Sequence, residues 1–249
     1  MSAQMVFCLP HAGGGVHNYV AWGAAFDDVF DWVPLEYAGH FTRDDERPYE
    51  SFGHAVDDLV EYIDARANGR RVGIFGHSLG GALGYEVGRR LHQNGQTAVE
   101  GIIVSSAEPP SALLTTRQTY FELDDQKFLE HLCSLGGVDV ANPVVRGMLA
   151  NSLPLIREDY RLHYSYRPDP DVSVEIPLHI WSGIDELIGR ERRLLWRQHS
   201  SGHVGFHEFP GSHFYWNSNL DSVTNTLRNL LAPKSESVDQ EGQVATCRH

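Results

Sequence analysis

Cysteine is scarce in this sequence of 249 residues. Cys8, Cys133 and Cys247 are too few and too scattered for a disulfide framework or a Cys-x-x-Cys metal site. No apolar stretch approaches the roughly 18 residues of a membrane span. The opening Met-Ser-Ala-Gln-Met-Val-Phe-Cys-Leu-Pro lacks the basic segment that precedes the apolar run of a secretory leader. Positive charge is short as well: 33 acidic side chains face 20 basic ones, a net charge of −13. That balance argues against a nucleic-acid binder, which needs a cationic face for phosphates, and against adhesion to an anionic membrane. The expectation is a cytoplasmic monomer in a reducing compartment, with no metal and no cofactor.

What is present is an ordinary globular composition, 41% apolar and 21% charged, in a chain long enough to bury a substantial core without staples. Short β-rich runs at residues 5–9, 33–36, 72–75, 101–105, 178–182 and 204–209 alternate with helical patterns at 52–66, 79–93, 190–199 and 217–231. Such alternation predicts an α/β fold, a mainly parallel sheet covered by helices on both faces. The alternation breaks between Pro109 and about Pro168, where only helical segments occur, at 126–135 and 144–164. Some 60 residues exceed what a crossover needs. The expected organisation is therefore a single domain at 1–232, with a helical lid inserted at about 110–165. A polar, aperiodic tail follows at 233–249 and is expected to be disordered.

Gly76-His77-Ser78-Leu79-Gly80 joins an apolar strand to a helix. A nucleophile on such a turn occupies a strained backbone conformation, and the flanking glycines admit close neighbours. Ser78 is therefore the candidate nucleophile. Fourteen histidines make a base hard to choose by counting, but order narrows the choice. In an α/β-hydrolase arrangement the acid and then the base follow the serine, on loops after later strands. Asp185 follows the fifth strand and His213 the sixth, so Ser78, Asp185 and His213 form the expected triad. Glu108 and Glu186 are weaker candidates for the acid. His199, His203 and His207 have metal-like spacing, but Gly202 and Gly205 interrupt any helix there. A tetrahedral intermediate needs oxyanion donors. The backbone N–H of Leu79 is one, and that of Ala12, in the glycine-rich loop Pro10-His11-Ala12-Gly13-Gly14-Gly15, is the other.

These motifs, together with Pro210-Gly211-Ser212-His213-Phe214-Tyr215 and Leu153-Pro154-Leu155-Ile156-Arg157-Glu158-Asp159-Tyr160, resemble the stand-alone type II thioesterases that accompany polyketide and non-ribosomal peptide synthases. The resemblance runs from Phe7 to about Asn217. It implies an α/β-hydrolase fold and a serine hydrolase, and it matches Ser78, Asp185, His213, Ala12 and Leu79 to that family's site. It also implies a substrate: an acyl group on the phosphopantetheine arm of an acyl or peptidyl carrier protein, removed to free a stalled synthase. The 153–160 segment looks like the family's junction between lid and core. One loop departs from the pattern. Where the family usually shows Pro-Gly-Arg-Gly-x-Arg, this chain has Ala38-Gly39-His40-Phe41-Thr42-Arg43, and the bulky Phe41 is expected to narrow or re-route the substrate path.

The residues alone reach a serine hydrolase and do not separate thioester from ester. A carboxylesterase or a product-releasing thioesterase with the same triad remains open, as does a non-catalytic ligand-binding protein of the same fold. Charge is uneven along the chain. Residues 27–64 carry twelve acidic side chains against Arg43 and Arg47, whereas Arg190, Arg192, Arg193 and Arg197 cluster beside the acid loop. If carrier proteins are themselves acidic, those arginines are the candidate docking patch.

Overall fold

The computed structural model describes residues 4–232 except 27, 114–117, 137–141 and 170–171. The expected tail and Cys247 therefore lie outside the described residues. Six strands form one sheet: β1 (Gln4–Leu9), β2 (Phe30–Pro34), β3 (Val72–His77), β4 (Val99–Ser105), β5 (Leu178–Gly183) and β6 (Val204–Phe209), in spatial order β2-β1-β3-β4-β5-β6. Every pairing is parallel. Both faces are covered, which explains why the strands read as continuous apolar runs. On β1, Met5, Phe7 and Leu9 join one core with Leu59, Ile63, Leu83 and Leu91, from helices α2 (Phe52–Ala67) and α3 (Leu79–Asn94). Val6 and Cys8 face the opposite core, built from Trp22, Phe75, Trp181 and the α8 (Leu220–Leu231) residues Val223 and Leu227.

The helix ends follow local chemistry. Ser51 caps α2 by accepting from the His54 amide, and Asn68 ends it in the left-handed region. Gly95 closes α3 at φ +69°. Two expected helices are shorter than their patterns: residues 190–199 split into α7 (Arg190–Leu194) and a 3-10 turn, and α8 begins at Leu220 after another. The first helix, α1 (Val16–Tyr19), is a single turn after the glycine-rich loop.

Between β4 and β5 the described residues contain no strand. They form α4 (Pro110–Leu113), α5 (Asp125–Ser134) and α6 (Pro143–Ser165). Phe128, Leu129, Leu132, Leu153 and Ile156 make a separate small core between α5 and α6. The C-terminal half of α6 instead belongs to the main body. Leu162 and Tyr166 enter its core, the Phe52 amide donates to Ser165 Oγ, and the Phe52 and Tyr166 rings stack at 4.1 Å. One helix thus bridges the insertion and the sheet. Among the described residues no helix is long and apolar enough to cross a membrane.

Candidate active site

Ser78 sits between β3 and α3 with φ +55° and ψ −117°, a conformation an L-residue adopts only under constraint. The constraint is visible. A Cβ at Gly76 would overlap the Gly80 carbonyl oxygen, and one at Gly80 would overlap the carbonyl oxygen of Leu9. Both glycines are needed for the elbow to lie this close to β1. The Ser78 amide donates to the Ser105 carbonyl, fixing the turn from the adjacent strand. Ser78 itself is partly exposed and starts α3, so the amide of Leu79 is among those a helix leaves without an internal partner. Among the described residues, neither the Leu79 nor the Ala12 amide donates a hydrogen bond.

His213 lies on the loop after β6 and is nearly buried. Its Nδ1 is 3.0 Å from Glu186 Oε2 and 3.3 Å from Oε1. This corrects the expectation that Asp185 orients the histidine. After β5 ends at Gly183, the Asp185 amide donates to the Gly211 carbonyl, stitching the acid loop to the histidine loop. Asp185 is left exposed. The next residue carries the inward carboxylate, and the Glu186 side chain is only 1% exposed. Burial raises the Glu186 carboxyl, but hydrogen bonds and charge from His213, with the Ser106 hydroxyl and the Leu187 amide, overcome that and hold it below the usual range. The pattern-breaking glycine here is Gly183, where a Cβ would overlap the Gly211 carbonyl. Glu108, the other rival, is occupied elsewhere: Arg192 donates to it at 2.9 Å.

His213 has neighbours that motif spacing does not reveal. His77, from the elbow motif itself, is fully buried with its ring centroid 4.7 Å from that of His213. Its Nδ1 meets Ser105 Oγ at 2.9 Å, and Ser105 Oγ meets the Tyr215 hydroxyl at 2.6 Å. Burial and the neighbouring His213 and His11 hold His77 neutral. His11, half-buried beside Phe214, is lowered to about 3 by desolvation and by His213 and His17. Among these three rings, His213 is the one paired with a carboxylate, Glu186.

The glycine-rich loop is gripped from two sides. Asp159 of α6 accepts from the Gly13 amide at 2.6 Å through Oδ2, and its Oδ1 is 3.1 Å from His40 Nε2. His40 Nδ1 is 3.3 Å from the Gly14 carbonyl oxygen. Glu36 accepts from the Val16 amide and from the Thr42 hydroxyl. The two residues retained in the departing loop have clear roles. Gly39 has φ +80°, and Arg43 bonds Glu46, Asp58 and the Glu36 carbonyl. Phe41 is 45% exposed and meets the His17 ring edge-on at 4.6 Å.

Two of the four arginines expected to form a docking patch are committed within the chain: Arg192 to Glu108, and Arg193 to Ser182 and Glu208. Arg197 lies over the Phe206 ring. His199 does not join His203 and His207. It turns into the core, where Nε2 meets Ser111 Oγ at 3.0 Å.

The model of the thioesterase domain family matches residues 4–231. Thioesterase PikA5 of Streptomyces venezuelae is 28% identical over 231 residues, which cover 92% of this chain and 82% of that protein. Among solved structures, RedJ, a thioesterase from the prodiginine pathway of Streptomyces coelicolor, superposes with a TM-score of 0.85 at 26% identity, covering 92% of this chain and 86% of that one. The type II thioesterase BorB from the borrelidin biosynthetic cluster does so at 0.82 and 29% identity, covering 91% and 92%.

Proposed function

The chain belongs to the thioesterase family, and from that premise we propose that Ser78, His213 and Glu186 hydrolyse acyl groups from the phosphopantetheine arm of an acyl or peptidyl carrier protein. It is a hydrolase acting on thioesters, of the α/β-hydrolase type. The pairing of His213 Nδ1 with buried Glu186 carries the residue assignment. With its proton on Nδ1, donated to the carboxylate, His213 presents a bare Nε2 as base.

Ser78 Oγ attacks the thioester carbonyl carbon as its proton passes to His213 Nε2. The carbonyl π pair moves onto oxygen, where the Ala12 and Leu79 N–H groups receive it. Collapse breaks the carbon–sulfur bond. The pantetheine thiolate takes the proton from His213, leaving an acyl-serine. Water then gives a proton to the same nitrogen and attacks the acyl carbon; collapse breaks the bond to Ser78 Oγ, which takes the proton back from His213, and the carboxylic acid leaves. A thiolate leaves more readily than an amine, so most of the demand falls on the oxyanion donors and on His213. The insertion at 110–165 is the lid in this reading. Its α6 residue Ile156 presses against Gly13, and the segment after α5 reaches Ser212. These contacts border both the oxyanion loop and the histidine loop, which favours a cover over the acyl path.

Mass spectrometry of acyl-loaded carrier proteins tests this function. Loss of the acyl group with recovery of free thiol is expected, and Ser78→Ala is expected to abolish it while the fold persists. Faster cleavage of oxygen esters than of carrier thioesters overturns the substrate assignment.

A further inference from the structure

The 153–160 segment and the departing 38–43 loop meet at one point. His40 and Asp159 are 3% and 4% exposed, so neither is a solvated surface charge. Asp159 comes from α6, the helix that carries the insertion. His40 comes from the loop after β2, and the Gly13 and Gly14 backbone they hold adjoins Ala12, the proposed oxyanion donor. We propose that His40 and Asp159 are positioning residues that lock the lid helix to the oxyanion loop, so that the Ala12 amide is aimed only while α6 is seated. The inference rests on the reading of Ser78 and Ala12 above.

Three features support it. Asp159 uses both carboxylate oxygens, one on the Gly13 amide and one on His40. Removing it therefore frees the loop and the histidine together. Both His40 nitrogens face acceptors, the Asp159 carboxylate and the Gly14 carbonyl, a setting that suits the doubly protonated imidazolium. Gly13 has φ +74°, and a Cβ there would overlap Ile156 Cγ1, so the helix packs directly on the loop. The other groups facing His40 are Glu36, whose charge also favours the imidazolium, and the Tyr37 and Phe41 rings. Burial alone would lower the His40 pKa, but Asp159, the Gly14 carbonyl and Glu36 raise it above its ordinary value. The lock is thus complete below that raised pKa. It loses its Gly14 contact as pH rises through that raised pKa.

A fluorophosphonate probe, which reports the reactivity of Ser78 whatever the natural acyl group, tests the lock beside steady-state hydrolysis. Asp159→Asn and His40→Gln are expected to slow labelling and kcat at least about tenfold, with KM nearly unchanged, because a slightly misaimed donor costs part of what losing it costs. Rates are normalised to the folded fraction by circular dichroism. In the parent, kcat is expected to fall at alkaline pH, and His40→Arg, which stays charged, is expected to remove that fall. Parent-like labelling in folded Asp159→Asn and His40→Gln overturns the proposal, as does an alkaline fall that persists in His40→Arg. Absence of labelling in the parent would instead sink the reading of Ser78 itself.

Discussion

Replacing Glu186 by glutamine keeps the shape of the carboxylate and removes its charge. The side chain is buried, and its oxygen lies 3.0 Å from His213 Nδ1. In the proposed mechanism His213 takes the Ser78 proton, and an imidazolium forms against this carboxylate. At an effective dielectric constant of about 20, unit charges about 3 Å apart attract by roughly 5 kcal/mol. That interaction arises only as charge develops, so nearly all of it acts on the barrier, and 1.36 kcal/mol is one decade of rate. A glutamine oxygen still accepts from Nδ1–H and recovers part of the loss. The expected fall in kcat is therefore about 10²–10⁴-fold, in line with charge removal in other triads. Asp185→Asn is the paired control. Its side chain is exposed, and the expected change is within about twofold, as for surface substitutions elsewhere. The assay is single-turnover hydrolysis of an acyl-carrier thioester by both variants at matched folded concentration. A large loss in Asp185→Asn with near-parent activity in Glu186→Gln would refute the assignment of Glu186.

Further predictions concern the scaffold. Gly76→Ala drives a methyl into the Gly80 carbonyl and is expected to destabilise the fold by more than about 3 kcal/mol, read by denaturant melts; a parent-like midpoint would mean the elbow can relax. Glu186 has a depressed folded pKa, so it contributes stability above its unfolded pKa, near 4.3, and loses it as pH falls through the lower folded value. The parent Tm should therefore drop more steeply than that of Glu186→Gln over this acidic window, and parallel curves would contradict the linkage. Amide exchange across the described residues of the insertion should be faster than in β1 and β3, whose residues are wholly buried; uniformly slow exchange would argue against a lid.

The sheet and the elbow were legible because they rest on local signals. Apolar runs bounded by turn residues located all six strands to within a few residues; β1, β3 and β5 are buried at every position, and a strand buried on both faces is largely apolar. The glycines around Ser78 announced a turn that no larger residue could make. The carboxylate partner of His213 was not legible in the same way. Asp185 and Glu186 are neighbours with the same chemistry, and which carboxylate turns inward depends on how the loop is tied to the histidine loop, as by the hydrogen bond from the Asp185 amide to the Gly211 carbonyl.

Sequence by itself therefore determined the fold class, the serine at the strand-to-helix turn, the histidine after β6 and the helical interruption before β5. Each depends on residues adjacent in the chain or on the order of strands. Tertiary structure alone decided that Glu186 partners His213, that Arg192 and Arg193 are committed to Glu108 and Glu208, and that His40 meets Asp159 across 119 positions of sequence. Such pairings join different elements of the fold. They depend on where backbone bonds turn each side chain, which neither composition nor periodicity encodes.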